Sequence, residues 1–248
     1  MPDKAQVPAA DNTLAILGYL ARQRASVPAA NIASALGIPR STTYHLLSTL
    51  SDHGFVVSGD RRWALGVAAH DLGTGYLRQQ PLTLVGRPLV SRLVDTVGEN
   101  GHLAVLNGSD VVYVVEERAA GRPSLVTDVG VRLPAHLTAS GRSMLAAMSR
   151  EQVLALYPDD ASFGRRGDVT MTRRQLREVL RETRSRGFAT EHGDVTVGLG
   201  SVAVAIVDRV GWPIAALALT FDDTREVDAD LIATLRNTSA EISKRLRV

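Results

Sequence analysis

The chain has 248 residues, 45% hydrophobic and 22% charged, a globular composition able to bury a core in one large domain or two ordinary ones. It has no cysteine, which excludes disulfides, thiolate catalysis and cysteine-based zinc sites and fits a reducing cytoplasm. Its net charge of +2 lies in residues 1–66, where six Lys/Arg meet four Asp and no Glu, whereas residues 67–248 hold 22 of each sign; the small basic bias is in the direction of phosphate contact.

Residues 1–10 lack the apolar core of a leader and read as a mobile tail. No uncharged apolar run approaches about 18 residues, so no membrane helix is expected. A first helix is predicted over 12–24, capped by Asp11 or Asn12, with Leu14, Leu17, Leu20 and Ala21 inward and Arg22 and Arg24 at its C-terminal end. Residues 26–28 break it. A short second helix runs from Ile32 to Leu36, and Gly37 makes a tight turn.

The third helix, from about 39 to 53, has two unlike faces. Pro39 suits a first turn, Leu46, Leu47 and Leu50 form an apolar stripe, and Gly54 ends it as a left-handed cap. Its other face carries Ser41, Tyr44, His45 and Ser48, while Arg40, Ser41 and Thr42 crowd the positive N-terminal end. Helix, glycine turn and polar-faced helix make the helix-turn-helix pattern, whose second helix enters the DNA major groove. Strand residues 55–57, a turn at 58–60 and a returning strand at 61–65 add a hairpin wing, which would lay Arg61 and Arg62 along the phosphates.

Residues 67–79 read as a connecting helix with Leu72, Tyr76 and Leu77 apolar, softened by Gly73 and Gly75 and ended by Pro81. A helix over 82–97 follows, with Leu84, Leu89, Leu93 and Val97 inward. Strands at 102–108 and 111–118 flank an Asn-Gly turn, a strong hairpin signal. Residues 119–134 are loop or irregular strand. A helix capped by Thr138 or Ser140 comes next, then helices near 151–157 and over 172–186, the last charged and solvent-facing. Residues 187–191 open a second sheet region, and 197–208 and 213–221 form an apolar hairpin. A helix over 228–247 closes an α+β unit of antiparallel strands with flanking helices.

Two patterns invite other functions. The string Gly198, Gly200, Ala203 imitates a dinucleotide fingerprint, but an apolar strand follows where that motif needs a helix. His102, His136, Glu191, His192 and Asp194 could gather on the sheet, yet they lack helical zinc spacing. No cofactor or metal is expected. Ser140 and Ser201 are not in G-x-S-x-G elbows, which disfavours an enzymatic second unit. A ligand-free dimerising scaffold stays open.

With both halves in view, the chain resembles the IclR family of bacterial transcriptional regulators over about residues 12–246. The family's P-R-S-T-x-x-R-L-L-x-x-L appears as PRSTTYHLLSTL (39–50), and its aromatic-x-Leu-Gly as Trp63 to Gly66. P-x-H-x-T-A-x-G-K/R appears at 134–142, and the glycine pattern ending G-x-x-S-V-A runs from Gly187 to Ala203. The resemblance implies a winged helix-turn-helix (11–66), a linker helix (67–81) and a GAF/PAS-like effector domain (82–248). It implies a homodimer or dimer of dimers on a palindromic operator of double-stranded DNA. The effector would be a small organic or aromatic acid, and no membrane is involved.

The DNA-contacting set is then Arg40, Ser41, Thr42, Tyr44, His45, Ser48, Arg61 and Arg62. By the same resemblance Ala139 and Ser140 offer backbone N–H groups to a carboxylate, Glu191 matches an acidic position, Ser201 a polar one, and Ala218 and Thr220 a pair that is often serine. His102 is grouped with them. Three hydroxyls, on Ser140, Ser201 and Thr220, would meet a positive helix end, which suits an anion. His45 stands where many relatives have Arg, so a bidentate arginine–guanine contact is absent. His192 departs from the family's acidic pair, and Ala218 lacks the usual hydroxyl, which fits a less polar effector or a different pose.

Overall fold

The computed structural model describes residues 6–23, 25–79, 81–122, 128–163 and 171–246, without the side chains of 74 and 76–79. Its contacts divide the chain into two units, Met1–Gln79 and Gln80–Val248.

The first unit runs α1 (Pro8–Ala21), β1 (Val27–Pro28), α2 (Ala29–Leu36), α3 (Arg40–Asp52), β2 (Val56–Gly59), β3 (Arg62–Leu65) and α4 (Val67–Gln79). Ile16 and Leu20 of α1, Ile32 of α2, Leu47 and Leu50 of α3 and Val56 of β2 share its core. Helix α1 starts inside the stretch expected to be tail. Pro8 sits in its first turn, where a missing N–H leaves nothing unpaired, and neither Asp11 nor Asn12 caps it. The inward face is Ile16 and Leu20, with Leu17 half-buried against the same core; Leu14 is 69% exposed and Ala21 is also exposed. Residues 27 and 28, expected only to break a helix, pair with β3 and complete a sheet of order β1-β3-β2. A two-residue strand carries no periodicity to read.

Pro39 is the N-cap of α3 rather than a first-turn residue. Gly37 and Gly54 both adopt left-handed backbone, at φ 65° and 71°. The wing turns on Asp60 and Arg61, whose φ values are 50° and 60°, so Gly59 faces Arg62 across the hairpin. Non-glycine residues seldom adopt this conformation, which is why the expected turn fell one residue early, on Gly59. Arg24 and the side chains of Tyr76 and Leu77 lie outside the described residues.

In the second unit one antiparallel sheet has the order β6-β5-β4-β9-β8-β7. Its strands are β4 (Asn100–Asn107), β5 (Asp110–Glu117), β6 (Arg132–Pro134), β7 (Ala189–His192), β8 (Leu199–Val207) and β9 (Pro213–Asp222). Helices α5 (Pro81–Val97) and α9 (Ala229–Leu246) cover one face; α6 (Ala139–Ala147), α7 (Arg150–Leu156) and α8 (Arg173–Arg186) cover the other. Side chains alternate across each strand, so each apolar strand feeds both cores. Pro81 opens α5 rather than closing the linker, and Leu84 faces solvent while Leu89, Val90, Leu93 and Val94 are buried. Thr172 caps α8 through a capping box with Gln175. The glycine string at 198–203 runs into β8, so the turn-to-helix step of a dinucleotide site is absent there. Among the described residues no helix is long and apolar enough to cross a membrane.

Candidate functional site

In the first unit the polar face of α3 is solvent-facing. Leu47, Leu50 and Thr43 are buried, and the Thr43 hydroxyl donates to the Pro39 carbonyl at 3.1 Å. That anchoring turns Arg40, Ser41, Tyr44, His45 and Ser48 outward, with Thr42 half-buried. No side chain caps α3. Its first-turn N–H groups therefore remain available to an acceptor from outside, such as a phosphate oxygen.

The two wing arginines differ. Arg61 stands at the exposed tip of the hairpin. Arg62 turns back: its Nε donates to the Ser26 carbonyl at 3.0 Å, and its Nη2 donates to the same oxygen. It ties the wing to the residue before β1.

In the second unit the seven residues expected at an effector site line one cavity: His102, Ala139, Ser140, Glu191, Ser201, Ala218 and Thr220. Register explains their meeting. Glu191, Ser201 and Thr220 are cross-strand neighbours on β7, β8 and β9, and Ala203, Ala218 and His102 form the adjacent row. Helix α6 lies over these rows, with Ala139, Ala203 and Ala218 in contact beneath it. The Thr138 hydroxyl caps α6 by accepting from Gly141 N at 2.9 Å, which resolves the choice between Thr138 and Ser140. Ala139 and Ser140 occupy the next two positions, whose N–H groups have no acceptor inside a helix.

Ser201 Oγ donates to Glu191 Oε1 at 2.8 Å and lies 3.0 Å from Thr220 Oγ1. Glu191 Oε2 and both ring nitrogens of His102 are buried without a hydrogen-bond partner. Orphaned buried polar atoms are uncommon, because each forfeits its hydration. Burial pushes the Glu191 carboxyl up to about 7, against the Ser201 hydrogen bond, which lowers it. Burial, with the Arg118 charge second, holds His102 down at about 4, so its imidazole is neutral near pH 7. The cavity measures about 20 Å³, room for one water. A ligand of several heavy atoms needs its wall to move. The loop between Gly193 and Gly198, both left-handed, supplies Val195 and Thr196 to that wall.

Sequence reasoning missed Tyr113, Val195, Thr196 and Leu199 as lining residues. It also missed Arg142, a buried guanidinium behind the site. Its Nη2 donates to Asp194 Oδ2 at 2.6 Å, and its other nitrogens donate to the carbonyls of His136 and Thr190. Of the five acid and histidine residues that could have gathered, Glu191, His192 and Asp194 line one hollow, but Asp194 is held by Arg142, and His136 packs edge-on to Tyr157 and Phe163. Among the described residues no three His, Asp or Glu side chains converge as a metal site would require.

The comparisons with known proteins agree with both halves of this geometry. A model of the IclR helix-turn-helix domain matches residues 9–60, and one of the bacterial transcriptional regulator IclR C-terminal region matches residues 74–244. The acetate operon repressor of Salmonella typhimurium is 29% identical over 231 residues, covering 92% of this chain and 84% of that protein. The transcriptional repressor AllR of Escherichia coli K12 is 25% identical over 243 residues, covering 96% and 90%. Among solved structures, an IclR homologue of Microbacterium hydrocarbonoxydans complexed with 4-hydroxybenzoate superposes with a TM-score of 0.82 at 25% identity, covering 96% of this chain and 99% of that one. A regulator from Alicyclobacillus acidocaldarius shares the fold at a TM-score of 0.83 and 20% identity, covering 97% and 99%. A winged helix-turn-helix followed by this curled sheet, matched over most of its length, means that the chain belongs to the IclR family of bacterial transcriptional regulators.

Proposed function

We propose that this regulator is a repressor that releases or rebinds a palindromic operator when a small organic or aromatic acid enters the cavity under α6. The observation that carries the reading is the cavity itself, which joins the N–H groups at the start of α6 to buried side-chain atoms that lack a hydrogen-bond partner on one surface. The relatives are named as repressors, and the Microbacterium homologue holds an aromatic hydroxy acid. This supports a regulator rather than an enzyme or an empty scaffold. Ala139 and Ser140 hold the carboxylate; Ser201, Thr220, Glu191 and His102 set the remainder of the pose. Arg40, Ser41 and Thr42 sit on phosphate and at the groove edge, while Tyr44, His45 and Ser48 face the bases. We place the protein in the cytoplasm as a homodimer or dimer of dimers. Exposed Leu14 of α1 and Val67 and Leu72 of α4 offer apolar contact to a second copy.

The test is a DNA-binding assay on the promoter beside the protein's own gene, repeated with a panel of small acids. One acid should change the shift; if none does, the effector reading fails. Coupling of this kind is about 1–3 kcal/mol and reciprocal, so DNA must change acid affinity by the same factor. Ser201→Ala should leave DNA affinity within about twofold and shift the acid dose curve tenfold or more, since a buried carboxylate loses its donor. An unchanged curve would remove Ser201 from the site.

The wing gives a sharper outcome. Arg61→Ala should weaken binding to all sequences alike and lower the salt slope by about 1. Arg62→Ala should lower the slope less than Arg61→Ala and also loosen the hairpin, because its Nε and Nη2 hold the Ser26 carbonyl. Equal slopes for both variants would refute this division of labour.

A further inference from the structure

The effector pocket has an imbalance of charge. Its lining contains one carboxyl, Glu191, and no lysine or arginine. Two guanidiniums act on the pocket from outside its lining, Arg142 on Glu191 and Arg118 on His102, and both are already paired, Arg142 with Asp194 and Arg118 with Glu116 and Asp128. The remaining positive element is the N-terminus of α6, equivalent to roughly half a unit charge. Such a site balances one buried negative charge poorly and two not at all.

We propose, on the effector reading above, that Glu191 takes up a proton when the acid binds, so that the pocket accepts one negative charge in total and selects monocarboxylates over dicarboxylates. The ligand's carboxylate settles on the N–H groups of Ala139 and Ser140. Glu191 keeps Oε1 as acceptor for Ser201 and carries the proton on Oε2, which is buried without a well-formed hydrogen bond, the Val195 backbone N–H being the other group that favours the ionised carboxyl. It then donates to a ligand oxygen, so an ionised acceptor becomes a neutral donor. One proton is taken from solvent for each anion bound, and net charge in the cavity is unchanged. A second ligand carboxylate finds no unpaired cation in the lining and is refused.

Several groups face Glu191. From β8 and β9 come Ser201 and Thr220, which do not ionise, and from β4 comes His102, which is neutral above pH 5. Tyr113 lines the cavity from β5, and Arg142 and Asp194 act as a mutually bound pair. His192 follows Glu191 in β7 and is exposed on the opposite strand face. Glu191, raised by burial to about 7, is the pocket carboxyl that can change charge between pH 6 and 8.

The experiment is calorimetric titration of the full chain at pH 6, 7 and 8 with 4-hydroxybenzoate and lactate, and with terephthalate and malonate as diacid counterparts. Expected is binding of at least one monocarboxylate, weakening toward tenfold per pH unit above about 7, with one proton taken up at pH 8. The diacids should bind at least a hundredfold more weakly. Glu191→Gln, a permanent neutral donor, should bind the same acid with no pH slope, and His192→Gln should keep the slope. A separate arm needs no ligand: in 13C-glutamate-labelled protein, the carboxyl signal lost in Glu191→Gln should titrate near 7. An unchanged slope in Glu191→Gln, a diacid that binds as well as its counterpart, or a midpoint in the ordinary carboxylate range overturns the proposal while leaving the effector reading in place. Failure of every acid at every pH overturns that reading and this proposal together.

Discussion

Replacing Arg142 with methionine will destabilise the C-terminal unit by about 3–5 kcal/mol, the cost of removing one partner from a buried ion pair. Arg142 is 6% exposed, and its guanidinium connects three segments. Nε donates to the His136 carbonyl at 2.8 Å, Nη1 to the Thr190 carbonyl at 3.0 Å, and Nη2 to Asp194 Oδ2 at 2.6 Å. Methionine fills much of the same space, so packing loss is small and the lost fork dominates. Two carbonyls and a carboxylate are left without their donor. Asp194 is 29% exposed, so water can recover part of its share. The double variant Arg142→Met, Asp194→Asn should therefore regain about 1–2 kcal/mol over the single one. Arg142→Lys should rescue little, because a point charge cannot serve three divergent acceptors. Urea unfolding of the full chain measures all three. Thr190 adjoins Glu191 on β7, so the acid response should fail at denaturant concentrations where the fold persists. A cost below about 1 kcal/mol would mean that water screens the fork and that it positions nothing.

What could be read from the residues, and what could not, divides by range of interaction. The helices of both units follow from apolar spacing and punctuation: Gly37, Gly54, Thr138 and Thr172 each end or start the helix they were expected to. The errors lie where two faces compete. Leu14 and Leu84 fit a helical stripe, but Ile16 and Val90 on neighbouring turns take the core. The site was legible in the same uneven way. Glu191, Ser201 and Thr220 lie on separate strands, and no local pattern places them in one row. The family motifs pointed to them, and strand register accounts for the meeting. Tyr113 and Thr196 reach the cavity from a neighbouring strand and a loop, and their inclusion depends on pairing that single-strand periodicity does not reveal. Arg62 reads as a phosphate ligand from its place in the wing, and tertiary structure adds a second role, since its Nε and Nη2 donate to the Ser26 carbonyl.

Gly66→Ala will disable the DNA-binding unit while leaving the effector unit folded. A methyl group there would lie 2.3 Å from the Gly54 carbonyl oxygen and 3.2 Å from Val56 N. Both are backbone atoms, so no rotamer change relieves the overlap. Neither side is free to retreat. Gly54 sits at φ 71°, and its oxygen accepts from Ala68 N at 3.1 Å at the start of α4. Gly66 N donates in turn to the Phe55 carbonyl at 2.8 Å. The alanine must therefore part β3 from the end of α3, and the wing goes with it. The expected cost is about 2–4 kcal/mol, above ordinary overpacking because the contact is backbone on backbone. A unit as small as Met1–Gln79 holds only about 5 kcal/mol in reserve, so half or more of its stability is lost. Gly37→Ala is the control. It has nothing within 4 Å of the added methyl and suffers only from its φ of 65°, a cost of about 1–2 kcal/mol. Gly37→Ala should retain operator binding within about tenfold, the loss expected from about 1.4 kcal/mol. Gly66→Ala should bind no operator at the same temperature, yet still take up acid in the C-terminal unit. Equal losses in the two glycine variants would show that backbone conformation, rather than the Gly54–Gly66 contact, sets the wing against α3.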